Sequence, residues 1–331
     1  MRGVNAALGV FVAVLFVVSI AVGPTGFAPL GALSDMLSGR DAPMALILVE
    51  LRLPRALLGV IIGAALGLAG AAMQGLLRNP LAEPGVTGVS ATAALGAVLT
   101  FYGGYAGATP LALPLAGVVG AASGAILLLA IAGRDATVAT LILIGAALNA
   151  LAGAATALVL GLSPNPYAFY EIGTWLMGSI ADRGLDHVAL ALPCVALGCL
   201  PLLLARRGLD ALALGEETAR GLGVDPRRMT LLVIAGAALA VGGAVAVSGV
   251  VGFVGLMAPH AIRPLVRYRP GASLVPSALA GAALVLLADI ALRLLPTGRE
   301  LPLGVMTALL GAPVLWQLAW RARRSGQTPW L

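Results

Sequence analysis

The sequence predicts an all-α, polytopic membrane protein with about ten transmembrane helices, a single domain over residues 1–331. Three observations carry that expectation. Of the 331 residues, 60% are hydrophobic and only 10% charged, so a water-soluble fold would have to expose large apolar patches. Apolar runs of about 20 residues, enough to cross a bilayer as a helix, recur along the whole length. Forty-four glycines and 21 prolines accompany them. Lipid-embedded helices tolerate both, because small residues permit close packing and neighbours re-satisfy freed backbone groups.

The crossings fall near residues 5–24, 55–77, 88–103, 111–133, 137–161, 188–205, 229–249, 252–268, 272–295 and 304–321. The first follows Met1-Arg2, and its apolar part, Ala6 to Val22, is long for a signal peptide, so it reads as a span. In the second, Gly59, Gly63 and Gly67 recur every fourth residue and share one face. Such a ridge admits another backbone at close range. The third and eighth are short. A further short helix is expected around Ile172–Ile180, at the membrane surface before the sixth span. The sixth span holds Cys194 and Cys199, whose spacing matches no metal or redox motif and reads as packing. Asp225-Pro226 reads as the N-cap and first residue of the seventh span's helix. The ninth carries Asp289 with Arg293 four residues later on the same face, a structural pair or an external docking or gating element. Pro313 is expected to kink or break the tenth.

Orientation follows from the arginines, since the chain has no lysine. With the N-terminus inside, only Arg40, Arg52, Arg55, Arg183, Arg293 and Arg299 lie outside, and the other fourteen lie on the cytoplasmic side. Both termini are then cytoplasmic. Arginines set in loops between spans, not along one face of a domain, speak against nucleic acid as a partner. The missing lysine excludes a Walker A nucleotide site and a Schiff-base enzyme. His187 and His260 fall on opposite sides of the membrane and cannot share a metal, and there is neither a His-Glu-x-x-His nor a Gly-x-Ser-x-Gly motif. A proton-coupled secondary transporter keeps ionisable residues near mid-membrane. Asp289 is the one clear candidate for that role, and it has its own arginine.

A polar island remains. Nine charged residues fall between Arg206 and Arg228: these two, Arg207, Asp210, Glu216, Glu217, Arg220, Asp225 and Arg227. It is either an ordinary solvated loop or a handle for a partner protein. Asp210 suits the start of a helix. Glu216 and Glu217 open a stretch to Leu222 that Gly221 and Gly223 end, with acids early and Arg220 late, as the helix dipole favours.

The segment Leu212-Ala-Leu-Gly-Glu-Glu-Thr-Ala-Arg-Gly-Leu-Gly-Val224 resembles the coupling helix of FecCD-type permeases, the membrane subunits of type II ABC importers for ferric siderophores, haem and cobalamin. Further stretches resemble the same family: Arg52-Leu-Pro-Arg55, Arg78-Asn-Pro-Leu-Ala-Glu-Pro-Gly85, Gly252-Phe-Val-Gly-Leu-Met-Ala-Pro-His-Ala-Ile-Arg263, and near the end Leu287-Ala-Asp-Ile290, Glu300-Leu-Pro-Leu-Gly-Val305 and Gly311-Ala-Pro313. Together they run in family order from about residue 50 to 320.

The resemblance implies the type II importer permease fold, a bacterial inner-membrane location, a second copy of the chain, two separate ABC ATPase subunits and a periplasmic binding protein. ATP and Mg would be used by the ATPase, with no cofactor, metal or catalytic residue in this chain. Carried over by position, Leu214, Gly215, Glu216, Glu217, Arg220 and Gly221, within a coupling segment of about 209–224, would seat in the ATPase. Arg52, Arg55 and Arg293 would meet acidic residues of the binding protein, where rim charges set encounter and orientation. The alternative reading is that Arg52 and Arg55 merely anchor the second span at the interface. Asn79, Leu81 and Thr137 match the cytoplasmic gate, although Val138 and Ala139 are apolar where cobalamin carriers are more polar. In the external segment Asn165–His187, Arg183 and His187 are candidate substrate contacts, with a solvated loop as the plainer reading. His260 is expected to be packed near the ATPase contact. The implied cargo is an iron chelate, with cobalamin as a close variant and a secondary transporter using Asp289 as the competing class.

Overall fold

The computed structural model describes residues 2–23, 31, 43–105, 109, 111–133, 136–162, 166–295 and 301–325. Arg40, Arg134, Asn165, Arg299 and Glu300, which figured in the expected topology and motifs, lie outside the described residues. The described chain is helical, and no strand occurs among those residues.

Thirteen helices are numbered here in chain order. Helix α1 is Arg2–Ala21 and α2 is Pro43–Leu76. They are followed by α3 (Val89–Tyr102), α4 (Ala112–Ala132), α5 (Val138–Gly161) and α6 (Pro166–Leu176). Next come α7 (Leu185–Leu204), α8 (Arg206–Leu212), α9 (Glu216–Gly221) and α10 (Pro226–Ser248). The last are α11 (Val254–Ile262), α12 (Pro270–Leu294) and α13 (Leu303–Ser325). Seven of them, α1, α2, α4, α5, α7, α10 and α12, are long and apolar enough to cross a membrane, and α3 and the Leu303–Val314 part of α13 are shorter apolar helices.

Helix α2 is the central post. It packs along α12 and also touches α10, α11 and α7, while α1 packs against both α12 and α2. The glycine ridge explains the closeness: a Cβ on Gly63 would strike Gly281 and Ala282, and one on Gly67 would strike the Ser277 carbonyl, all on α12. Helix α10 is gripped by α7 and α4, with Cys194 of α7 packed against Gly243. Both cysteines are free and act as small packing residues. The outer faces of α1, α4, α5 and α7 are apolar and exposed, as membrane helices require.

Three expectations change. The second span begins earlier, at Pro43, through a π-helical turn over Ile47–Arg52. That widened turn sits just before Pro54, whose absent N–H and bulky ring would disrupt a regular turn. The short surface helix lies at Pro166–Leu176 instead of Ile172–Ile180. Pro166 fits a first helical position, and Gly178 at φ 78 ends any continuation. The eighth segment forms only the nine-residue α11 and a 3-10 turn over Arg263–Val266. Nine residues rise about 14 Å, half a bilayer core. Gly249 (φ 68) and Phe253 (φ 67), both left-handed, break the chain before it. Helix α13 runs through Pro313 without a break.

The non-helical segments satisfy one another. Ser179 N–H donates to the Ser248 carbonyl at 2.7 Å and Leu303 N–H to that of Gly178 at 2.8 Å. The ends of α6, α10 and the start of α13 thus form one backbone-paired junction, as irregular chain among membrane helices requires.

Candidate functional site

At the arginine-rich end, Leu209 and Leu212 hold α8 in the core, and Gly215 at φ 103 turns the chain into α9. Helix α9 is pinned by one side chain, Ala219, which is fully buried. Glu217, Thr218, Arg220 and Gly221 face outward, and Leu214 and Leu222 beside them are 66% and 63% exposed. Glu216 is fixed from outside its own helix: Arg78 reaches it at 3.2 Å, closer than Arg220 at 3.9 Å. Arg78 holds this position from a left-handed backbone (φ 47) just past the end of α2.

Asp225 caps α10 as expected, accepting from the Arg227 N–H at 2.9 Å with Pro226 behind it. Asp210 serves a different helix start from the one its sequence position suggests. It lies within α8, accepts from Gly271 N–H at 2.9 Å in the first turn of α12 and pairs with Arg269 at 2.8 Å.

A cleft of about 620 Å³ opens beside α9, and Arg78, Thr137, Val138, Glu216 and Arg220 are among its walls. Thr137 caps α5, accepting from Thr140 N–H at 3.2 Å. Three of the expected residues, Thr137, Glu216 and Arg220, therefore meet around one opening. Asn79 and Leu81 do not line it. Asn79 Oδ1 instead accepts from Leu81 N–H at 2.9 Å, a tight turn that leaves Leu81 exposed. Two residues on, Glu83 accepts from the N–H of the left-handed Phe253 at 2.8 Å and so ties this turn to the start of α11. Burial pushes the Glu83 carboxyl up from its ordinary range, and the Phe253 N–H works against that.

At the other end, Arg52, Arg55 and Arg293 converge. Arg52 is buried and donates to the last carbonyls of α1, Ile20 at 2.7 Å and Ala21 at 3.0 Å. Arg293 donates to the carbonyls of Ser19 at 2.7 Å and Val22 at 2.8 Å, and to Ser19 Oγ at 2.6 Å. Asp289, 1% exposed, sits between Arg55 at 2.9 Å and Arg293 at 2.7 Å. The i,i+4 pair read from sequence is thus one half of a triad that also fastens α1 to α2 and α12.

The remaining candidates are local. His187 Nδ1 lies 2.8 Å from Asp186 Oδ1 at the start of α7. Arg183 is half-buried in the preceding loop, where burial lowers its guanidinium from the ordinary value and Asp182 and Asp186 hold it up. An apolar hollow of about 940 Å³ runs along α13 from Gly304 to Trp320, with Met177 and Phe253 on its other wall.

A family model described as the FecCD transport family matches residues 11–321. The Fe(3+)-citrate import system permease YfmE of Bacillus subtilis is 36% identical over 322 residues, covering 96% of this chain and 95% of that protein. The vitamin B12 import system permease BtuC of Vibrio vulnificus is 37% identical, covering 95% and 94%. The hemin transport system permease HmuU of Yersinia pestis is 38% identical, covering 91% and 93%. Among solved structures, a chain described as an inward-facing metal-chelate-type ABC transporter superposes with a TM-score of 0.84 at 29% identity, over 96% of this chain and 99% of that one.

Proposed function

The chain belongs to the FecCD transport family, and from that premise we propose that it is the permease subunit of an ATP-driven importer carrying a ferric chelate, a ferric siderophore or haem, across the bacterial inner membrane. Two copies form the pathway, two separate ABC ATPase subunits supply the energy, and a periplasmic binding protein delivers the cargo. Both termini face the cytoplasm.

The carrying observation is α9. A six-residue helix held by one buried alanine, with Leu214 and Leu222 turned outward, leaves apolar side chains beside charges in solvent. A groove on an ATPase that buries the two leucines gives them a partner, as central apolar anchors do in tight interfaces. Arg78 supports the coupling role, because its pairing with Glu216 ties a movement of α9 to the inner end of α2. Asn79, Leu81 and Thr137 then gate the cytoplasmic mouth. At the opposite end Arg55, the most exposed of the three arginines, meets the binding protein on the platform that Arg52 and Arg293 hold in place. Arg183 and His187 lie on the same side as candidate cargo contacts.

Cobalamin is the second reading, favoured by one observation: the vitamin B12 permease is as similar as the iron-citrate one. Secondary transport has less support. A carboxylate that exchanges protons needs access, and Asp289 is buried between two arginines.

The test is purification of the tagged chain from iron-limited host cells in mild detergent, measuring co-purifying proteins and ATP hydrolysis. A stoichiometric ATPase, lost in the Leu214→Glu/Leu222→Glu variant while the chain stays folded, is the expected result. Uptake by the chain alone in vesicles, with no ATPase bound, would overturn it. Radiolabelled ferric siderophore, haem and cobalamin competed for uptake by the intact system assign the cargo.

A further inference from the structure

A second cavity, about 490 Å³, opens at the arginine-rich end between the last turns of α2, the 3-10 turn after α11 and the first turn of α12. Three guanidiniums line it, those of Arg78, Arg263 and Arg269, together with Gln74, Tyr268 and Ser273, and no carboxylate is among its walls. Two of the arginines have acidic partners behind them: Asp210 lies 2.8 Å from Arg269, and Glu216 lies 3.2 Å from Arg78. Arg263 forms no ion pair among the described residues. Its Nη2 donates to the neutral amide oxygen of Gln74 at 2.8 Å. Since a guanidinium carries five donors, the half-buried Arg263 leaves one uncompensated positive charge and further N–H groups beside an open cavity.

The surroundings point to the kind of ligand. Arg267 and Tyr268 are successive left-handed residues, at φ 54 and 57, in the turn that carries Tyr268 to the rim. Tyr268 is 71% exposed there, and Leu265, two residues past Arg263, is 57% exposed. An exposed tyrosine and leucine beside arginines at the end of a membrane helix match the chemistry of a bilayer interface. Basic pockets between such helices suit anionic headgroups.

We propose that this cavity binds a phosphate group, supplied by the headgroup of an anionic phospholipid in the adjoining leaflet, with Arg263 as its principal donor and Arg269, Arg78 and Tyr268 around it. The proposal rests on the membrane-spanning fold and is independent of which cargo is carried.

The test places the full-length chain in nanodiscs of pure phosphatidylcholine or of phosphatidylcholine with phosphatidylglycerol, and reads retained lipid by native mass spectrometry and Tm by thermal unfolding. Phosphatidylglycerol should be retained and should raise Tm. Arg263→Gln should weaken retention about fivefold, the effect of one interfacial basic charge. Arg228→Gln, the same charge change at an exposed position of α10, should leave it unchanged. A parallel arm adds inorganic phosphate to the pure phosphatidylcholine discs. A Tm rise there, lost in Arg263→Gln, supports the phosphate site and assigns it to a soluble donor. Equal retention by wild type and Arg263→Gln, or an equal loss in Arg228→Gln, overturns the proposal. Flat lipid and phosphate arms with weakened ATPase capture in Arg263→Gln also overturn it, making the cavity a protein socket. Should Arg263→Gln fail to fold, Ser273→Asp sets a carboxylate in the wall with every arginine intact and is expected to abolish retention.

Discussion

Asp289 is the residue on which two views of the molecule diverge. As a coupling acid it would be indispensable to each transport cycle. As the centre of a triad it is a fastener, holding Arg55 and Arg293 while Arg293 reaches on to α1. Removing one member of a buried ion pair typically costs about 3–5 kcal/mol, because the partner's charge is left without compensation. Asp289→Asn is therefore expected to lower the Tm of the purified chain, with uptake per folded molecule retained; loss of uptake at unchanged Tm would favour the coupling-acid view. Glu83 gives a second expectation. Its carboxyl is raised by burial, so the charged form is disfavoured in the folded chain. A raised acid contributes stability that is present at low pH and lost as pH rises through the folded value. Glu83→Gln keeps an acceptor for Phe253, so the wild type should lose Tm relative to this variant as pH rises above the ordinary carboxylate range. Parallel curves would contradict it.

Among the elements, α2 and α12 set the closeness of the whole bundle. Their contact is backbone on backbone at Gly63 and Gly67, where a side chain would meet carbonyls and not movable atoms. Gly67→Val should destabilise the chain by at least about 1–3 kcal/mol, the usual penalty for overpacking, read as earlier thermal unfolding in detergent. Gly153, on the exposed side of α5, has open space around it. Gly153→Val should unfold within a degree or two of the wild type (surface changes usually fall within about 0.5 kcal/mol). Helix α9 is the opposite kind of element. With six residues it is too short to be stable by itself, and its position depends on Ala219, Arg78 and the turn at Gly215. A short element held at so few points transmits displacement better than it resists it.

For the whole molecule, the asymmetry between ends decides how it works. One end gathers α8, α9 and the Thr137 cap around a polar cleft, with the Asn79–Leu81 turn outside its walls. The other fastens α1, α2 and α12 through buried arginines. Between them, the half-length α11 and the paired breaks at Gly178, Ser248 and Leu303 open an apolar hollow along α13, where Trp316 and Trp320 are 77% and 56% exposed. In the proposed importer a second copy of the chain would cover this face and make it a pathway wall. Light scattering in mild detergent should then give a protein mass of two 33.0 kDa chains, whereas a single-chain mass across detergents would contradict the dimer.

Most of the helices are legible in the sequence because each needs only a local property, an apolar run of sufficient length, and the predicted bounds of α3, α4, α5 and α12 fall within two residues of the observed ones. The Asp225 cap, the Gly59–Gly67 ridge and the Asp289–Arg293 pair are legible for the same reason, since their partners lie within a few residues or on one helix face. The tertiary structure alone decided the rest. It placed Asp210 on the start of α12, 61 positions away, paired Arg78 with Glu216 across 138, and brought Arg55 to Asp289 across 234. It also cut the eighth segment to half a span, through two left-handed residues that its apolar composition does not announce. Hydropathy reports which stretches leave water, and it carries no term for which charged side chains meet once the helices have packed.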